Sequence, residues 1–375
     1  MSSFNAAAYH RLVIKVGSAL LIDEHGALDT NWLHGLAEDV AQLRANNCEV
    51  LIVSSGAIAI GSRVLGINRR KARLPDLQAS AAAGQVQLAS AYREVFGTLD
   101  ITTAQVLLTP SDTEDRRRFL NARGTLGRLL ECGVVPVINE NDTVATEEIR
   151  YGDNDRLAAR VAQLVMADGL LLLSDIDGFY TADPLQHSDA KHIPEIRGIS
   201  SEMLAMAGAA RSDVGSGGMQ TKIQAAQIAT HAGCATIIAS GKLTRPLQRL
   251  GEGARCSVFF AEGSPAAARK QWLAGSLKVA GSLRVDEGAV LALRKGSSLL
   301  PVGVRSVKGD FQRGDAVTIT APDGREIGRG LAEYGANEAQ LIAGCHSDQI
   351  EERLGYRGRS VMLHRDELVL FDTYA

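Results

Sequence analysis

Hydrophobic residues in the first two-thirds of the chain follow two alternating patterns. Short, mostly apolar runs occur at Leu12 to Val16, Val50 to Val53, Thr103 to Leu108, Val134 to Ile138, Leu170 to Leu173 and Thr236 to Ala239. Between them apolar residues recur every three or four positions. Leu33, Leu36, Val40 and Leu43 follow Asp29 or Thr30 as a cap; an Ala-rich stretch covers Leu77 to Phe96; further periodic stretches cover Arg156 to Met166 and Gln220 to His231, the last closed by Gly233. The runs read as strands and the periodic stretches as helices. Apolar strands separated by helices predict an α/β fold, a mainly parallel sheet sandwiched by helices. Ligands in such sheets bind beyond the carboxyl ends of the strands, and nearly every run here ends in Gly, Ser, Asp or Asn.

The pattern changes after about Gly275. Leu283 to Val285, Ala289 to Leu291, Val302 to Val307, Ala316 to Thr320, Glu326 to Ala332 and Ser360 to Leu363 are short and extended in character, with Gly and Asp turns between them. Regularly spaced short strands predict a small β-barrel or sandwich. The expected organisation is a first domain over 1–262, a helical linker over 263–275 and a β domain over 276–375.

Composition narrows the function. The 375 residues are 45% hydrophobic with a net charge of −3, enough apolar material for two packed domains and no basic excess for broad nucleic-acid or membrane binding. Five scattered cysteines form no Cys-x-x-Cys pair, so they read as reduced thiols of a cytoplasmic protein. Neither a leader peptide nor an apolar run near the ~20 residues of a membrane span is expected.

The densest chemistry lies in Asn139-Glu140-Asn141-Asp142 and Gly152-Asp153-Asn154-Asp155, where three Asp, three Asn and one Glu crowd between two core-forming segments. Such polar groups are costly to desolvate unless something binds them, and a small hydrogen-bonding ligand fits. Lys15-Val16-Gly17-Ser18 ends the first strand; a lysine inside an apolar strand needs an anionic partner, unless it snorkels from the strand end. Ser54-Ser55-Gly56 ends the second strand and leaves backbone N–H groups open to an anion, or merely packs closely. Ser216-Gly217-Gly218-Met219-Gln220-Thr221-Lys222 opens a helix in a way that suits phosphate oxygens, or caps it with a glycine turn. It is not a Walker A sequence. Ser174-Asp175 ends a buried strand and could read a base or ribose, hold Mg²⁺ through water, or simply turn the chain. Three anion-ready strand ends beside one carboxylate-rich loop make phosphoryl transfer from a nucleoside triphosphate the leading class, with Lys15 and Lys222 neutralising charge.

Taken together with Ala82-Ala83-Gly84-Gln85 and Asp175-Ile176-Asp177-Gly178-Phe179-Tyr180-Thr181-Ala182-Asp183-Pro184, these blocks resemble the amino-acid kinase superfamily, and within it the glutamate 5-kinase family. Leu300-Pro301-Val302-Gly303 and Glu326-Ile327-Gly328-Arg329-Gly330-Leu331 resemble the PUA module that many bacterial members carry at the C-terminus. The resemblance implies ATP-dependent phosphorylation of the side-chain carboxylate of L-glutamate to γ-glutamyl phosphate, the first step of proline synthesis. It implies Lys15, Asp155 and Lys222 as catalytic residues. Lys15, Gly17, Ser18, Ser174, Asp175, Ser216, Gly217, Gly218, Met219, Gln220, Thr221 and Lys222 would hold ATP, and Ser55, Gly56, Asp142 and Asn154 would hold glutamate. Ser174 and Ser216 stand where the family commonly has Thr, which keeps the hydroxyl. ATP and Mg²⁺ are the implied cofactors, with no metal ligand named.

The resemblance further implies proline as feedback inhibitor on a loop through Glu140 to Ile149, and assembly as a homodimer or homotetramer. An unstable acyl phosphate product makes glutamyl phosphate reductase an expected partner. N-acetylglutamate, carbamate, aspartate and uridylate kinases share the fold and differ in acceptor; the acidic loop favours an amino acid with a free ammonium. An RNA-binding role for residues 276–375 is disfavoured, because thirteen Lys and Arg meet fourteen Asp and Glu, a net of −1.

Overall fold

The computed structural model describes residues 4–5, 8–23, 27–144, 153–209, 218–275 and 278–371, without the side chains of Asp153 and Ala209. The chain divides into two compact units. The first comprises Met1–Glu114 and Asn121–Pro265, and the second Asp115–Leu120 and Ala266–Ala375.

The first unit is built on strands β1 (Arg11–Val16), β2 (Glu49–Ser54), β3 (Thr103–Leu108), β4 (Val135–Glu140), β5 (Gly169–Ser174), β8 (Glu195–Arg197), β9 (Ala235–Ser240) and β10 (Cys256–Phe260). They form one sheet in the order β3-β4-β2-β1-β5-β9-β10-β8. All neighbours run parallel except β9 and β10. A small hairpin pairs β6 (Phe179–Tyr180) with β7 (His192–Ile193). The six apolar runs of the sequence are all strands; β6, β7, β8 and β10 were not expected, being too short or too irregular to show a period.

Side-chain alternation sets what β1 offers each face. Leu12, Ile14 and Val16 enter a core with Trp32, Leu33, Leu36, Val40 and Leu43 of the helix Thr30–Ala45 and with Leu88, Tyr92 and Phe96 of the helix Leu74–Gly97. Lys15 is out of phase with that set. It turns to the side of the helix Asp153–Leu164, where it meets Asp155.

Helix Ala57–Val64 crosses helix Leu74–Gly97 at two glycines. A Cβ on Gly61 would lie 1.7 Å from the Ser80 carbonyl oxygen, and one on Gly84 1.8 Å from that of Ala57. The two backbones touch directly, so neither position accepts a side chain.

The second unit carries a mixed sheet in the order β12 (Val304–Gly309), β11 (Val279–Val285), β13 (Ala316–Thr320), β14 (Glu326–Leu331) and β15 (Leu368–Leu370). Its core includes Leu283, Val304, Phe311, Val317, Ile319, Ile342 and Leu363. Two expectations fail here. Ala289 to Leu291 lies in the helix Glu287–Arg294, which Asp286 caps by accepting from Ala289 N at 2.8 Å. Three apolar residues are too few to distinguish strand from helix, and the Asp that reads as a turn is an N-cap. Ser360 to Leu363 is not a strand: only Leu363 bridges, to Leu299, and β15 closes the sheet instead. The helix Pro265–Gly275 covers most of the stretch expected as a linker and groups with the second unit.

Candidate active site

β1 lies between β2 and β5, with Lys15 paired to Val53 and to Leu172. Chain connections leave β1 in one direction to β2 and cross to the other side for β5, so the strand ends diverge there and open a crevice. Gly17, Ser18, Ser55, Gly56 and Asp175 follow these three strands, Ser174 is the last residue of β5, and all lie at that edge. A Cβ on Gly56 would stand 3.9 Å from the Ser18 Cβ, which places the first two strand ends side by side. Gly56 has φ of 109°, the left-handed conformation that glycine permits at this tight strand-to-helix turn.

Three charged residues meet beneath the crevice. Lys15 Nζ lies 2.7 Å from Asp155 Oδ1, and Lys222 Nζ donates to Asp155 Oδ2 at 3.1 Å. Thr221 Oγ1 donates to the same Oδ2 at 2.9 Å. Both lysines are 6% exposed and Asp155 is fully buried. Burial alone would raise the Asp155 carboxyl, but Lys15 and Lys222 outweigh it and hold it below the usual carboxylate range. Burial draws Lys15 below the ordinary lysine value; Asp155 opposes that, and Lys222 adds to it. Asp175, exposed at the end of β5, also favours the charged form of Lys15. Two buried ammoniums thus share one buried carboxylate, an arrangement that an anion entering the crevice would suit.

Two helix starts supply these groups. Asp155 sits in the first turn of Asp153–Leu164, where the helix dipole favours a carboxylate. Lys222 and Thr221 sit in the first turn of Met219–His231, whose N-cap is Gly218 and which has no side-chain cap. Its leading N–H groups suit an oxyanion. Gly218 and Gln220 are exposed, while Met219 is half-buried. Ser174 Oγ donates to Asp175 Oδ1 at 3.0 Å. Ser216 and Gly217 lie outside the described residues, as do Gly152 and residues 145–149 of the loop expected to host an inhibitor.

A second, uncharged cluster adjoins the first through the neighbouring residue Asn154. Asn154 Nδ2 donates to Ser55 Oγ at 2.7 Å and to Asn139 Oδ1 at 3.1 Å. Asn139 Nδ2 in turn donates to Gln85 Oε1 at 2.8 Å. Tyr92 OH donates to Ser54 Oγ at 3.0 Å. The buried Asn154 Oδ1 accepts no hydrogen bond among the described residues, which leaves an acceptor open within this network. Asp142 is buried in the short 3₁₀ turn Asp142–Val144 after β4.

Gln85, Asn139 and Tyr92 carry no role in the sequence reading, although Gln85 and Asn139 stand inside its matched blocks. The available signal was polarity at core-facing helical positions: Gln85 shares a face with Leu88 and Tyr92, three and seven positions on.

Comparison with known proteins accords with this geometry. The Amino acid kinase family model matches residues 10–240, and the PUA domain model matches residues 281–354. The glutamate 5-kinase of Agrobacterium fabrum is 56% identical over 364 residues, covering 97% of this chain and 94% of the relative. The chain belongs to the glutamate 5-kinase family. Glutamate 5-kinase 1 of Rhizobium meliloti is 57% identical over 362 residues, covering 96% of this chain and 92% of its own, and the Rhodospirillum rubrum enzyme is 56% identical with 96% of both chains covered. Among solved structures, a carbamate kinase from Giardia lamblia bound to AMP-PNP matches 68% of this chain and 100% of its own at a TM-score of 0.49 and 16% identity. This glutamate 5-kinase family member is an enzyme with the two parts the family models describe, a kinase unit and a C-terminal PUA unit. No helix among the described residues is long and apolar enough to cross a membrane.

Proposed function

We propose that this chain transfers the terminal phosphoryl group of ATP to the side-chain carboxylate of L-glutamate, forming γ-glutamyl phosphate and opening proline synthesis. The observation that carries the reading is the convergence of Lys15 and Lys222 on Asp155, set one residue along the chain from the Asn154 Oδ1 that accepts no hydrogen bond among the described residues.

The chemistry needs little from the protein beyond placement and charge. A glutamate side chain has a reference pKa of about 4.3, so the nucleophile is ionised at neutral pH and needs no general base. One carboxylate oxygen forms the new bond to phosphorus as the bond to the bridging oxygen breaks; ADP leaves with that electron pair, and no proton moves. The obstacle is repulsion between two anions. Lys15 and Lys222, fixed by Asp155, offset it and stabilise the charge on the transferring group without reorganising. The loop ends at Gly17-Ser18 and Gly218 leave room and N–H groups for the phosphates, and Ser174 and Asp175 border the same edge. Ser55, Asp142 and Asn154 then hold the amino acid: Asn154 Oδ1 accepts from the substrate's ammonium, and Asp142 carries the complementary charge.

Mg²⁺ bound by a triphosphate takes only one or two protein carboxylates. Exposed Asp175 fits that part, whereas both oxygens of Asp155 are engaged by lysines. Such an ion would screen phosphate charge.

Turnover of ATP with L-glutamate, trapped by hydroxylamine as γ-glutamyl hydroxamate, tests the reading, with Lys222→Ala as the control. A panel of N-acetylglutamate, aspartate, carbamate and UMP tests the acceptor. Faster turnover with any of them than with L-glutamate would overturn it.

A further inference from the structure

The second unit contains a polar cavity of about 500 Å³, lined by none of the residues assigned above. Its walls come from Asp310 to Arg313 after β12, Glu333 to Glu338 after β14, Tyr356 to Arg359, and Arg117. Four arginines, Arg117, Arg313, Arg357 and Arg359, face three carboxylates, Asp310, Glu333 and Glu338.

The carboxylates are unequally available. Glu333 is 4% exposed and holds two of the arginines, Arg313 at 3.4 Å and Arg359 at 3.2 Å. Glu338 accepts from Tyr356 OH at 2.8 Å and from Gly335 N at 3.4 Å. Asp310 is exposed. Arg117 and Arg357 have no ion pair with a carboxylate among the described residues, and the lining as a whole sets four guanidiniums against three carboxylates, one positive charge in excess.

The interior is also short of hydrogen bonds. Glu333 Oε2 and Arg313 Nη2 face each other as an ion pair at 3.4 Å without a hydrogen bond, and Arg313 Nε is buried with no hydrogen-bond partner among the described residues, a set that water, an ion or a ligand would complete. The wall is drawn in tightly around this point. Tyr334 OH donates to the Arg359 carbonyl, and a Cβ on Gly358 would stand 2.4 Å from that hydroxyl.

We propose that this cavity binds a small oxyanion, a phosphate monoester or a carboxylate, through Arg117 and Arg357, with Arg313 and Arg359 held in place by Glu333. Guanidinium groups grip such oxyanions bidentately. The volume lies within the roughly 300–1,000 Å³ of small-molecule sites. The near-neutral charge of residues 276–375 favours a small ligand over a polyanion.

The test is hydrogen–deuterium exchange on the full chain with inorganic phosphate, phosphoserine and citrate at millimolar concentration, read at residues 310–313, 333–338 and 356–359. Protection by phosphate and phosphoserine assigns a phosphate site, and protection by citrate a carboxylate site. The double variant Arg117→Gln/Arg357→Gln should weaken that protection at least about tenfold, the loss of one good charged hydrogen-bond pair, while kinase turnover is unchanged. Protection from none of the three, protection undiminished in the double variant, or protection only by a structured RNA hairpin overturns the proposal.

Discussion

The two units each contain a buried carboxylate held by two cations, and the two clusters differ in how far water reaches those cations. In the kinase unit Lys15 and Lys222 approach Asp155 at 2.7 and 3.1 Å with side chains 8% and 7% exposed. In the PUA unit Arg313 and Arg359 approach Glu333 at 3.4 and 3.2 Å with side chains 27% and 42% exposed. The carboxylates are alike; the cations are not. Water reaches part of each arginine side chain, so their charge is screened more than that of the lysines and its stabilising effect is smaller. The lysines are dry, so their charge is little screened. Lysine also fits a point charge aimed at one phosphoryl group, where arginine suits a planar, two-pronged partner.

The sharpest way to break this contrast is to neutralise each carboxylate. Asp155→Asn strands two buried ammoniums and should cost about 3–5 kcal/mol in urea unfolding, with turnover abolished. An equal loss from Glu333→Gln would show that cation exposure does not matter. Removing a cation comes next. Lys222→Ala should lower kcat by about 10²–10³-fold, the scale of one lost charge-stabilising donor, while Arg359→Ala leaves kcat unchanged. A kcat for Lys222→Ala within a few-fold of the parent would remove the lysine from the chemistry. Glu333→Gln itself should cost about 1 kcal/mol, a cost that shrinks as salt is raised. Urea midpoints at low and high salt measure it.

The smallest effect is in pH. The Asp155 carboxyl is held low in the folded state, so its contribution to stability is complete above the unfolded value and is lost as pH falls through the folded one. The stability gap between the parent and Asp155→Asn should therefore stay constant from neutrality to about pH 5 and narrow only below about pH 4. A gap already closing near neutrality would mean that the lysines do not lower this group.

Six of the eight strands of the kinase sheet were legible because apolar runs with polar ends have one common use in an α/β protein, while β8 and β10 were not. Lys15 and Lys222 were legible because an ammonium in a strand and a lysine after two glycines both demand an anion. Gln85 was not. Its side-chain oxygen accepts from the Asn139 amide of β4, a partner 54 residues away that no local pattern reveals. The helix Glu287–Arg294 was misread because its three central apolar residues fit either period, and β15 was missed because three residues show no period at all.

The sequence by itself determined the alternation of strand and helix, the polar strand ends and the need of each lysine for a negative partner, since these follow from local composition and desolvation cost. Only the tertiary structure decided that both lysines share the single carboxylate of Asp155 and that Asn154 beside it joins Ser55, Asn139 and Gln85. Those residues lie far apart along the chain, and the register of a parallel sheet, which no local pattern encodes, is what brings them to one edge.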